Sequence, residues 1–207
     1  MPLNERLLRV VVAKQAERVL IKKVRPLIEL DYETKKEQFL EAFDSDPVTQ
    51  EIEGGPSAFS NVGPLATAGG NLFSFLGFEA GKEPVGALRK YLDESIELGK
   101  TRAGVVKGSK VVFSTPVTFP TVAEVDAFVA TNSETKLDWD RRPFTSVLAN
   151  GVPGLPNFIF NEDKGFATSR SGPAIQSKGK VRNGSLGPIP YIGPLLANLK
   201  RLFGPKK

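Results

Sequence analysis

Apolar residues recur at positions 3, 7, 8, 10, 11, 12, 16, 19, 20, 21 and 24, close to the three-and-four spacing that gathers side chains on one side of an α-helix. A stripe this long predicts a helix from Leu3 that lies against other elements, with Asn4 placed to cap it. Pro26 falls inside the pattern. Its ring removes a backbone donor and crowds the preceding turn, so a kink or break is expected there. Beyond it, Leu27, Ile28, Leu30, Phe39, Leu40 and Phe43 form the expected buried side of a second helical segment that stops near Asp46-Pro47.

Asp46 can cap a short turn over Pro47–Ile52 with Pro47 as its first residue, and Gly54-Gly55-Pro56 ends it. Small and turn-forming residues from Ser57 to Gly70 read as an ordered loop. The run Asn71–Phe78, NLFSFLGF, reads as a buried strand, although apolar runs this short do not separate strand from helix by period. Glu83–Leu98 is the pattern of a helix entered through Pro84 and followed by Gly99. Val, Thr and Phe alternate over Gly104–Val106 and Lys110–Phe119 around Gly108-Ser109, which predicts a hairpin. Thr121 and Glu124 have the spacing of a capping box that opens a helix to about Ala130. Trp139–Phe144, Phe158–Phe160 and Lys178–Asn183 are strand candidates, and Pro194–Phe203 is a short amphipathic helix.

The resulting fold class is α+β: a long kinked N-terminal helix packed on a small mixed or antiparallel sheet, with extended loops and a short C-terminal helix. Residues 1–163 form the core domain, and 164–207 are a basic arm with the last helix, read as part of the same domain. The 36 glycines and prolines argue for much ordered loop. No apolar stretch reaches the roughly 20 residues of a membrane span, and the start has no signal-peptide pattern.

Charge is distributed unevenly. Of 28 basic and 23 acidic residues, the first 25 positions hold seven and two, and Lys164–Lys207 holds nine and none. The segment between them carries twelve and twenty-one. Basic ends flanking an acidic middle can fold onto that middle, meet an oppositely charged neighbour, or present arms to nucleic acid. The candidate subunit-interface or DNA-facing residues are Lys164, Arg170, Lys178, Lys180, Arg182, Lys200 and Arg201.

The chain has neither cysteine nor histidine. Thiol nucleophiles, Cys/His zinc sites and a Ser/His/Asp triad are therefore excluded, and enzymatic routes narrow to carboxylates, Lys and Tyr. The pairs Asp44/Asp46 and Glu51/Glu53 read as solvated helix ends, because neither sits among apolar residues that would perturb a pKa. Gly69-Gly70 and the glycines at 151 and 154 lack the Lys-Ser/Thr of a phosphate loop and read as turns needing positive φ. The aromatic set Phe73, Phe75, Phe78, Trp139, Phe144, Phe158 and Phe160 reads as core. No catalytic residue, cofactor or metal site is expected.

The string at 51–78, EIEGGPSAFSNVGPLATAGGNLFSFLGF, together with Arg141–Phe160 and SRSGPAIQ-K at 169–178, resembles a virion structural protein of contractile-tailed phages, marine and cyanobacterial ones included. More distantly, the layout resembles tail-completion and minor-tail adaptors of tailed phages, from which it departs by the longer insertion Glu83–Asn132. The resemblance implies a non-enzymatic, ring-forming homo-oligomer at the head–tail neck or the top of the tail, without cofactors. Its partners would be other copies of itself and neighbouring neck, connector, tail-tube or sheath proteins, with contact to passing DNA and none to membrane. Its place would be the virion, with assembly in the host cytoplasm. A baseplate or sheath-stabilising position fits the same composition, as does a non-specific nucleic-acid-binding protein that uses the basic ends.

Overall fold

The computed structural model describes residues 5–60, 71–79, 81–107, 110–137, 142–151, 158–160, 174–176 and 187–204, with backbone alone at 5–14, 103–107, 110–111, 158–160 and 174–176. The fold is α+β, mostly helical, with a long N-terminal helix and a short C-terminal one. The described strands form three separate two-stranded antiparallel pairs, so no mixed sheet is present among them.

Helix α1 spans Glu5–Asp44 and continues through Pro26, where a second helix was expected to begin. A proline in a helix interior removes one hydrogen bond, and a 40-residue helix keeps enough others on either side to carry the chain through.

The chain divides into two compact units. The first takes its described residues from Met1–Gln38 and Ser95–Phe119. In it, the buried Tyr32 of α1 donates its hydroxyl to the Ile96 carbonyl at 2.6 Å. Strands β1 (Glu97–Leu98) and β4 (Val117–Thr118) pair antiparallel, with Leu98 opposite Val117. The Gly99 N–H extends this pairing to the Pro116 carbonyl at 2.8 Å. A side chain at 99 would meet Pro116 Cγ at 2.8 Å, which explains the glycine there. The expected hairpin is present as β2 (Arg102–Lys107) and β3 (Lys110–Ser114). Its register shifts between Ala103 and Val106, leaving one extra residue on β2, as in a β-bulge.

The second unit takes its described residues from Phe39–Glu94 and Pro120–Lys207. Helix α2 (Pro47–Glu53) starts as expected: the Asp46 carboxylate accepts the Val48 N–H at 2.9 Å, and Pro47 occupies the first turn, where no donor is needed. A 3-10 turn, Gly55–Ser57, follows.

The run expected to be a buried strand is instead helix α3, Leu72–Leu76, with all five side chains buried. Both of its ends are specified locally. Asn71 Oδ1 accepts the Ser74 N–H at 2.8 Å, and Gly77 adopts the left-handed conformation at φ 75°. The Phe78 N–H reaches back to the Phe73 carbonyl and the Gly77 N–H to that of Ser74, while the Phe73 and Phe78 rings pack at 5.5 Å. That combination is a Schellman motif with its hydrophobic contact.

Helix α4 (Pro84–Ser95) buries Val85, Leu88 and Leu92. Helix α5 (Val122–Thr131) opens with the expected capping box between Thr121 and Glu124. The Tyr91 and Phe128 rings stack at 4.2 Å with planes 10° apart. Phe144, placed in the sequence reading at the end of a strand, instead begins helix α6 (Phe144–Asn150). It is fully buried edge-on to Phe78 at 5.4 Å. Strands β5 (Phe158–Phe160) and β6 (Ala174–Gln176) pair antiparallel. Of the aromatic set expected in the core, Phe73, Phe75, Phe78 and Phe144 are buried. Trp139, the candidate strand 178–183 and the glycines at 69, 70 and 154 lie outside the described residues.

Candidate assembly surfaces

The C-terminal helix α7 (Ile192–Phe203) is amphipathic because Ile192, Leu195, Leu196 and Leu199 fall on one side, and all four are buried in the second unit. Tyr191 precedes it and locks the entry. Its ring lies 6.2 Å from Phe43 and 6.4 Å from Phe144, and its hydroxyl shares a 2.8 Å hydrogen bond with Thr49 Oγ1, itself buried. Burial pushes the Tyr191 hydroxyl above the ordinary tyrosine range, against the smaller opposing pull of the Thr49 hydrogen bond. It stays protonated and acts as a fixed polar pin.

Helix α7 presents Lys200 and Arg201 in its last turn, both exposed, where the negative end of the helix dipole favours cations. Arg201 Nη2 donates to Asn198 Oδ1 at 2.9 Å. These two candidate residues are therefore neighbours. The other five, Lys164, Arg170, Lys178, Lys180 and Arg182, lie outside the described residues.

The carboxylates have separate structural tasks. Asp44 accepts Arg89 Nε through both oxygens, at 2.8 and 3.0 Å, and this hydrogen bond raises the Arg89 pKa above its ordinary value. Asp46 is the cap of α2. Glu51 was expected on a solvated helix end but is only 4% exposed, and its Oε1 accepts the Leu72 N–H at 2.6 Å. Leu72 opens α3, whose first amides have no partner within the helix, so an acceptor from α2 satisfies one of them. Among the described residues no group of three or more carboxylates gathers in a way that could hold a metal ion.

The largest departure from the sequence reading lies on α1. Leu27 and Leu30, expected on its buried side, are each 67% exposed, and Val19 and Leu20 are 55% and 39% exposed. Helical spacing alone marked these residues as apolar and periodic; it carried no information about which part of so long a helix receives cover. Phe59 is also exposed, in the loop after the 3-10 turn. Among the described residues no helix is long and apolar enough to cross a membrane.

The described surface includes a basic helix end in the second unit and an exposed apolar helix face in the first. Comparison with protein-family models, with curated proteins and with solved structures finds no match to the chain.

Proposed function

We propose that the protein is a structural component of a tailed-phage virion, forming a homo-oligomeric ring at the head–tail neck or the top of the tail. One observation carries the reading: Lys164–Lys207 holds nine basic residues and no acidic one, whereas Pro26–Asp163 holds twelve basic and twenty-one acidic. A ring needs heterologous contact, in which one face of each subunit matches a different face of the next. An acidic middle and a basic C-terminal part in one chain supply such a pair, and it favours copy-to-copy contact over contact between like surfaces. The resemblance of residues 51–78, 141–160 and 169–178 to a virion structural protein supports the same role. So does the exposed basic pair Lys200 and Arg201 at the end of an anchored helix.

The test changes Lys164, Arg170, Lys178, Lys180, Arg182, Lys200 and Arg201 to glutamine in the full chain and follows incorporation into particles, with a C-terminal label imaged on purified virions. The expected result is a labelled band at the neck for the parent chain and its loss in the variant. Intact, infectious particles carrying the variant at full occupancy would overturn the proposal. Salt-sensitive binding to double-stranded DNA without incorporation into particles would also overturn it and would favour a nucleic-acid-binding role.

A further inference from the structure

The exposed apolar residues of α1 are ordered. Ala16, Leu20, Lys23, Leu27, Leu30 and Thr34 follow one another at alternating intervals of four and three, the spacing of a two-helix seam. Every one of them is exposed. Val19 flanks the line, and Pro26 sits beside it. A solvent-facing seam with three leucines, in a chain whose other described helices bury nearly all of theirs, calls for a second helix.

Charge along α1 selects the occupant and its direction. Glu5–Arg25 carries seven basic and two acidic residues, and Pro26–Asp44 carries two basic and six acidic. Some of these are paired within the helix, Arg25 with Glu29 and Lys35 with Asp31, both at 2.6 Å. Such exposed pairs are weak and leave the gradient along the rod in place. A nucleic acid or an anionic membrane would attract the first half and repel the second. Two copies laid parallel would set like halves together. Two copies laid antiparallel set each basic half against an acidic one.

We propose that α1 is a self-association surface on which a second copy of this chain docks its own α1 in antiparallel orientation. The two-fold axis passes near Arg25, the middle of the apolar line, so that Leu20 of one copy faces Leu30 of the other and Lys23 lies beside Leu27. Lys23, the one charged member of the line, extends its ammonium toward the acidic half of the facing helix. Its place in the seam sets the register at some expense of affinity. The contact is isologous and closes in pairs, so it does not depend on the virion reading.

The experiment is sedimentation equilibrium of the full chain over a range of concentrations, with orientation read by cross-linking. The parent chain is expected to show a monomer–dimer equilibrium. Leu27→Lys with Leu30→Lys is expected to weaken the dimer more than about 100-fold, since four leucines lose their cover across the pair and like charges then meet at positions 23 and 27. Lys23→Leu is expected to tighten it. Because these side chains are exposed, the circular dichroism of the monomer should not change. The chain has no cysteine, so single Ala16→Cys and Thr34→Cys variants report orientation directly. Mixed and oxidised, they should cross-link 16 to 34, while either variant alone should not cross-link to itself. A parent chain that stays monomeric, a double lysine variant that dimerises as tightly as the parent, or efficient 16-to-16 linkage would each overturn the proposal. Dimers in solution without any recruitment to virions would sustain this inference and sink the proposed function.

Discussion

Replacing Asn71 probes the junction that turns an apolar run into a helix. Its side chain is only 4% exposed and makes three hydrogen bonds. Oδ1 accepts the Ser74 N–H at 2.8 Å, while Nδ2 donates to the Pro56 carbonyl at 2.8 Å and the Ala58 carbonyl at 3.1 Å. Asn71→Ala removes an N-cap worth about 1 kcal/mol. It also removes two donor bonds worth about 0.5–1.5 kcal/mol each. The total is about 2–4 kcal/mol, or a Tm lower by roughly 4–16 °C for a chain of this size. Asn71→Asp isolates the donor half of the argument, because it keeps the cap acceptor but turns an oxygen toward two carbonyls. At neutral pH it should be at least as destabilising as alanine. Apposition to carbonyls holds the new carboxyl's folded pKa above its unfolded value, so the protonated form is favoured by folding. The variant should therefore recover stability relative to the parent as pH falls toward the ordinary carboxylate range. Urea melts of both variants at neutral and mildly acidic pH make the measurement. An alanine variant within about 0.5 kcal/mol of the parent, or an aspartate variant as stable as the parent at neutral pH, would refute this account.

The N–H of Thr121 and, secondarily, its hydroxyl hold the Glu124 carboxyl below the ordinary range. The stabilisation is therefore present above the unfolded carboxylate pKa and lost as pH falls through the folded one. Thr121→Ala keeps the N–H and removes only the hydroxyl, so the Glu124 midpoint should move upward by part of its shift in an NMR titration; an unmoved midpoint would show that the hydroxyl does not reach the carboxylate. The Tyr91–Phe128 stack should give a coupling of about 0.5–1.5 kcal/mol in a double-alanine cycle; additive losses would mean the rings contribute only through burial.

Much of the helical architecture is readable in short strings, because capping and termination act within one turn. Asp46-Pro47 and Thr121-Val-Ala-Glu124 announced the starts of α2 and α5, and both structures obey them. The same logic was available at Asn71 and Gly77, a cap and a left-handed stop spaced for one short helix. The density of Phe and Leu between them masked it, since hydrophobic bulk at that length is compatible with either state. Pro26 shows the converse: of the kink or break expected there, the break is absent, because a 40-residue helix retains hydrogen bonds on either side of the proline.

Burial was legible only in part: Phe39, Leu40 and Phe43 are covered as their spacing predicts. Leu27 and Leu30 share a helix and an apolar pattern with Phe39 and Phe43, yet the first two face solvent and the last two are fully covered. Glu51 looks like any acidic residue on a short helix until the first amide of α3, 21 residues away, takes its oxygen. Tyr191 finds Thr49 across 142 positions. Periodicity, caps and charge segregation belong to the residues themselves and to their nearest neighbours along the chain. Cover is supplied by whatever element arrives from elsewhere, so the exposed seam on α1 and the buried carboxylate on α2 came into view with the three-dimensional arrangement.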